Sequence, residues 1–180
     1  MTPVEMIPLL LQAGVRFVVI GGVAANAHGS ARITFDLDIV FDPAEDNRER
    51  LGSLLKAWRM RLRGAPRDLP WVPDARSLAV SHVLTLESPD GKLDVMDELA
   101  GVGDFRAVLS RSEELTYEGH LFRVLKLDAL IAAKRAANRV TDRSHLVELE
   151  ALYAKLHGRE PPRVKEPTRR PRRSRARRRA

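Results

Sequence analysis

Residues 32–40 read RITFDLDIV, an apolar, β-branched run interrupted by Asp36 and Asp38 one residue apart. Strands are poor in Asp, and two carboxylates on one strand face repel. In an extended chain both side chains leave the same face, roughly 6–7 Å apart at the backbone. Phe35, Leu37, Ile39 and Phe41 then point one way, and Thr34, Asp36, Asp38 and Val40 the other. Such a strand either turns its carboxylates into water or sets a cation between them. A hard divalent ion such as Mg²⁺ takes oxygen ligands and suits one or two carboxylates together with substrate phosphates. Two such ions could organise an in-line phosphoryl displacement.

The flanking sequence favours the cation. Upstream, the short apolar strand RFVVI (16–20) is closed by Gly21 and Gly22, and VAANAH (23–28) reads as a helical turn stopped by Gly29. A strand running through two glycines into a helix presents backbone N–H groups where a phosphate can lie. Thirteen residues separate Gly22 from Asp36. Downstream, Asp94 sits between Leu93 and Val95 in the strand-like KLDVM, a third carboxylate suited to a neighbouring strand. Asp97, three residues on, faces the opposite side of such a strand and is the weaker choice.

The remaining elements follow from periodicity and punctuation. Thr2, Pro3 and Glu5 form a helix start, and Gly14 ends that helix. The second strand is expected over about 33–41, closed by Asp42-Pro43, and AEDNRERLGSLLKAW reads as an amphipathic helix despite Gly52. Residues 60–75, rich in Pro, Arg and Asp, read as a loop. HVLTLE and KLDVMD flank SPDG, a hairpin signal, and LTYEGHLFRVL is a second hairpin after a helix near 104–111. From Lys126 onward KLDALIAAKRAANR and TDRSHLVELEALYAKLH read as helices, with Thr141 and Asp142 competing to cap the last one. No internal repeat is present. The order predicts an α+β (α/β-like) fold: a small mixed sheet with flanking helices and a helical C-terminal part.

The stretch VVIGGVAANAHGSARITFDLDIVFD resembles the signature of the polymerase-β-type nucleotidyltransferase superfamily: a hydrophobic strand, Gly-Gly, a spacer, then Asp-hydrophobic-Asp-hydrophobic. Its spacer lies at the long end for that pattern. It is more similar still to the minimal nucleotidyltransferases of the abortive-infection and toxin–antitoxin type, the AbiEii-like group, which also carry a Lys followed by an Arg-x-x-Asp motif. Lys134, Arg139 and Asp142 stand in those places, whereas His145 occupies one where a second Asp is common. The resemblance spans roughly residues 15–157.

It implies that Gly21 and Gly22 hold nucleotide phosphates and that Asp36, Asp38 and Asp94 bind Mg²⁺. Asp94 would also help deprotonate the acceptor hydroxyl, and Lys134 would contact the triphosphate. The reaction implied is transfer of a nucleoside monophosphate from an NTP such as ATP to an acceptor, releasing pyrophosphate. RNA (a tRNA end, for example) or a protein side chain is the expected acceptor, and an antitoxin protein an expected partner. The alternative is a nucleotidyltransferase fold used as a non-catalytic binding module. Arg32, just before the strand, is placed to touch a phosphate or to be ordinary surface; His28 is placed to line the pocket or to serve structure. Trp58 and Trp71 are expected to pack rather than to stack on bases.

Composition sets the outer limits. The chain of 180 residues has no cysteine, which excludes disulfides and thiolate metal sites. There is no apolar run of membrane-spanning length and no basic segment ahead of Ile7–Leu11, so a cytoplasmic location and no membrane partner are expected. The formal charge of +7 is uneven. Residues 159–180 hold ten Arg and one Lys against Glu160 and Glu166, while residues 1–158 are slightly acidic. A domain over 1–158 and a disordered Arg-rich tail over 159–180 are therefore expected, the tail serving as a polyanion-binding arm or merely as a solvated end. G-x-x-x-x-G-K-[ST], G-x-G-x-x-G and G-x-S-x-G are all absent, and His28, His82, His120, His145 and His157 show no zinc-type clustering.

Overall fold

The fold is built outward from β1 (Phe17–Ile20), whose four residues are all buried. A continuous apolar run of this kind suits a strand covered on both faces. In the computed structural model, which describes residues 1–66, 68–138 and 143–162, β1 lies inside a seven-stranded mixed sheet. The strands are β2 (Asp36–Phe41), β3 (Arg61–Leu62), β4 (Val83–Ser88), β5 (Gly91–Met96), β8 (Ser112–Tyr117) and β9 (His120–Leu125), in the order β3-β4-β5-β2-β1-β9-β8. β1 runs antiparallel to β2 and parallel to β9, and β2 runs parallel to β5. A separate two-stranded ribbon pairs β6 (Glu98–Leu99) with β7 (Gly103–Asp104).

Both expected hairpins form. β4 and β5 meet across Ser88↔Gly91, and β8 and β9 across a turn where Glu118 and Gly119 take positive φ. The N-terminal helix α1 is Met6–Gln12. Ahead of it, the Thr2 N–H donates to Glu5 Oε2 (2.7 Å) and the Glu5 N–H to Thr2 Oγ1 (3.4 Å), the reciprocal pattern the sequence suggested. Gly14 (φ +68°) turns the chain out of the helix.

Helix α3 (Glu45–Ala57) buries Leu51 and Leu55, and with them Asn47 and Gly52. Gly52 is there because a Cβ would come within 2.9 Å of the Asp74–Ala75 backbone, where α4 (Ala75–Val80) starts against it. Asn47 joins two strand ends: its Oδ1 accepts from Arg16 N–H (2.7 Å), and its Nδ2 donates to Arg16 O (3.0 Å) and Asp42 O (2.8 Å).

α2 (Gly21–Ala27), α6 (Leu127–Ala137) and α7 (Arg143–His157) share a second, smaller core of Ala25, Leu127, Ile131, Leu149 and Tyr153. The helix expected near 104–111 is α5 (Phe105–Ser110), capped by Asp104. Trp58 and Trp71 pack partly buried against the main core, as expected. No described helix is long and apolar enough to cross a membrane.

Three expectations need correction. The second strand begins at Asp36, not near residue 33. Before Asp36 it has no ladder partner: β1 has already become α2 after Ile20, and β5 only starts at Gly91. Ile33 and Phe35 are consequently exposed. Val40, expected on the polar face, is fully buried because β2 is an interior strand. Residues 60–75 are not all loop: β3 adds an edge strand to β4. Arg139, Thr141 and Asp142, and the tail from residue 163, lie outside the described residues.

Candidate active site

The ladders set four positions in a row across the sheet. Thr85 lies opposite Asp94, Asp94 opposite Asp38, and Asp38 opposite Ile20, the residue just before Gly21. Two residues along β2 and on the same face stands Asp36, opposite Lys92. Asp36, Asp38, Asp94, Gly21 and Gly22 therefore line one cleft of about 720 Å³, joined by Lys134 from α6, His145 from α7 and Arg32 from the segment before β2.

The two glycines interlock with the β2 segment. Gly21 sits at φ +63°, and a Cβ there would fall on the carboxylate of Asp38. At Gly22 a Cβ would meet Thr34 Oγ1 at 2.5 Å. That Thr34 hydroxyl in turn lies within hydrogen-bonding distance of the Asp36 carbonyl (3.2 Å) and carboxylate (3.3 Å). The β1–α2 corner thus approaches β2 closely enough that any side chain on either glycine would displace the acidic pair or its support.

The carboxylates strain one another electrostatically. Burial pushes the Asp38 carboxyl up to about 7, with the charges of Asp36 and then Asp94 adding to it. A hydrogen bond from the Gly22 backbone and the charge of Lys134 act in the opposite direction.

A guanidinium also stands among these carboxylates. Arg63 follows β3, its backbone N–H held by Thr85 O at 2.9 Å. Its Nη2 donates to Asp94 Oδ1 at 2.7 Å, and its Nη1 lies 3.7 Å from Asp36 Oδ2. Arg63 was not singled out in the sequence. The alternation Met60-Arg61-Leu62-Arg63 was the available signal for a strand carrying both arginines to one side.

The remaining candidates fall as follows. Arg32 lines the cleft, with Nε on Glu148 Oε2 (2.9 Å) and Nη2 on Ser144 Oγ (2.8 Å), tying the β2 approach to α7. His28 turns away: Nε2 sits 2.8 Å from Leu125 O, a structural contact at the end of β9. Asp97 lies beyond β5 and pairs with His82 (3.2 Å).

The donor chemistry of Asp36, Asp38 and Asp94, all carboxylate oxygen, fits a hard divalent cation. As the side chains stand, no three His, Cys, Asp or Glu among the described residues are gathered to hold an ion. Arg63 bridges two of the three.

The chain matches no family model and no curated protein. It is similar to solved structures of the antibiotic-resistance factor ANT(2'')-Ia. In solution that protein matches with a TM-score of 0.56 at 14% identity, over 86% of this chain and 82% of the other. The crystal structure of ANT(2")-Ia in complex with adenylyl-2"-tobramycin matches with a TM-score of 0.52 at 17% identity, over 86% and 90%. An antigenic nucleotidyltransferase-like protein from Paracoccidioides brasiliensis matches with a TM-score of 0.51 at 15% identity, over 84% and 73%. The fold is that of the nucleotidyltransferases. At these identities the likeness establishes the α+β fold expected from the sequence, and the chemistry rests on the site itself.

Proposed function

We propose that the chain is a nucleotidyltransferase that moves a nucleoside monophosphate from an NTP to an acceptor hydroxyl. The observation that carries this reading is the ladder register, which sets Asp38 beside Asp94 and opposite the residue before Gly21-Gly22, with Asp36 on the same face. In the reaction the acceptor oxygen bonds to the α-phosphorus, the bond to the pyrophosphate oxygen breaks, and pyrophosphate leaves. The hydroxyl proton passes to a carboxylate, a role this reading gives to Asp94.

Asp36, Asp38 and Asp94 are the residues that would hold Mg²⁺. The ion would supply charge neutralisation at the phosphates and a lowered pKa for the attacking hydroxyl. Gly21 and Gly22, at the start of α2 in the cleft wall, are the residues that would meet the phosphates, and Lys134, across the cleft on α6, is the cation for the triphosphate. Arg32 reaches a phosphate only by exchanging its pair with Glu148. The AbiEii-like, toxin–antitoxin assignment, a cytoplasmic setting and an antitoxin partner stay with this proposal, resting on the stretch from Gly21 to Ile39 and on Lys134. RNA, with a tRNA end as one form, is the favoured acceptor because the Arg-rich tail supplies a sequence-independent attraction to polyanions.

Label transfer tests the reading. The purified protein is incubated with Mg²⁺ and each α-labelled NTP in turn, with and without total RNA, and with an aminoglycoside. Label on an acceptor that is lost in Asp36→Ala/Asp38→Ala is the expected result. A second reading, a binding module without turnover, draws on the guanidinium of Arg63 among the carboxylates. Nucleotide binding with no transfer to any acceptor would select it.

A further inference from the structure

Asp36 on β2 and Asp94 on the neighbouring β5 are like charges on one sheet face, and the chain supplies a positive partner for them. Arg63 places one guanidinium nitrogen 2.7 Å from Asp94 and another 3.7 Å from Asp36. We propose that Arg63 is an internal counter-cation that stands in for the divalent ion between Asp36 and Asp94 and is displaced when the ion binds. The inference rests on the metal-binding reading above and adds a competitor to it.

Three features mark the pose as exchangeable. First, the contacts are uneven: a short charge-assisted bond to Asp94 and a looser approach to Asp36. Second, Nε of Arg63 is buried with no hydrogen-bond partner among the described residues. A guanidinium built purely as a strut is normally satisfied at every nitrogen. Third, the backbone is fixed while the side chain has elsewhere to go. The Arg63 N–H is held by Thr85 O (2.9 Å), and Nη2 also reaches Leu86 O (3.2 Å), a neutral acceptor that remains when the carboxylates are taken. Displacement therefore needs only side-chain rotation from an edge position after a two-residue strand.

The consequence is competition. A site whose binding-competent form is a minor fraction binds its ligand more weakly by that fraction. Removing the competing charge should tighten ion binding, opposite to the loss expected from removing a ligand.

The test is Mn²⁺ binding to the full chain without nucleotide, followed by the electron paramagnetic resonance of free Mn²⁺. Arg63→Gln is expected to bind Mn²⁺ about tenfold more tightly than wild type, as a competent fraction near one in ten implies. Arg63→Lys, which keeps the charge but loses the fork, should fall between them. Arg61→Gln, two residues away and paired with Glu87, removes the same charge without touching the site and should leave affinity unchanged.

Equal or weaker binding by a folded Arg63→Gln overturns the inference while the metal reading stands. Equal tightening in Arg61→Gln also overturns it, by reducing the effect to general electrostatics. Should Arg63→Gln fail to fold, Arg63→Lys binding no tighter than wild type overturns it. If neither wild type nor Arg63→Gln binds Mn²⁺ at millimolar concentration, the inference and the metal reading fall together.

Discussion

The carboxylate of Asp38 occupies the space that a side chain on Gly21 would need: a Cβ at Gly21 would lie 2.6 Å from the Asp38 Cγ. The β1–α2 corner and the acidic strand are thus fitted to each other atom by atom. Gly21→Ala is expected to cost about 1–2 kcal/mol from the left-handed backbone alone, with the clash against Asp38 added to it. Urea unfolding with a two-state fit checks the stability, and label transfer should fall to background even where the protein remains folded.

Asp38 makes the folded chain less stable when it ionises. Its carboxyl rises from 3.8 to about 7, so between those values the folded state holds more protons than the unfolded one. Stability then falls as pH rises through that window and stays low above it. In metal-free buffer Asp38→Asn should be more stable than wild type at alkaline pH by about 2 kcal/mol, discounted for the open side of the cleft, with the difference shrinking toward acid pH. Thermal unfolding across pH in the presence of EDTA measures it. A wild type that outlasts the variant at every pH contradicts this account of the site.

Transfer activity should stop in EDTA and return with Mg²⁺ or Mn²⁺. Asp94→Asn keeps the shape of β5 but removes a charged oxygen donor, and should lower the rate by about a hundredfold or more with the circular dichroism spectrum unchanged. Full activity in either condition argues against catalysis through these carboxylates.

Asn47 offers a check on the scaffold away from the cleft. Its side chain serves Arg16 N–H, Arg16 O and Asp42 O while fully buried. Asn47→Ala strips these partners from Arg16 N–H and Asp42 O, while Arg16 O keeps its bond from Asp42 N–H (3.1 Å), and should destabilise by about 2–4 kcal/mol, the cost of leaving buried polar groups unsatisfied. Urea titration gives the value, and nucleotide binding well below the transition should be unaffected.

Local chemistry made much of this fold readable. Val18-Val19-Ile20 ending in two glycines, the SPDG turn and the Glu118-Gly119 turn each carry their structure in adjacent residues, and all three appear where expected. What depended on distant partners was not readable. Ile33 and Phe35 continue the alternation of β2 in sequence but find no strand beside them. Arg61 and Leu62 look like loop and become strand only because β4 offers an open edge. The six-residue α4, opened by an Asp74–Ser77 capping box, is too short for a periodicity argument. At the candidate site, Asp36 and Asp38 stood out by their spacing and Asp94 by its strand-like flanks, and the ladders bring the three to one cleft. Arg63 was missed because its partner Asp94 is thirty-one residues away in sequence. Of the two like charges on β2, Asp36 is approached by Arg63, just past β3, while Asp38 has its carboxyl pushed up by burial.

The register that sets Asp38 against Asp94 also decides which changes in length this gene can tolerate. Residues may be added at the Pro89-Asp90 turn with little effect on the ladder, because the turn is exposed and the strands pair on either side of it. Loss of a single residue between Gly91 and Asp94 instead moves Val95 into the place opposite Asp38 and turns the carboxylate toward the core. Insertions and deletions should therefore accumulate in this hairpin at its tip and be purged from its stem.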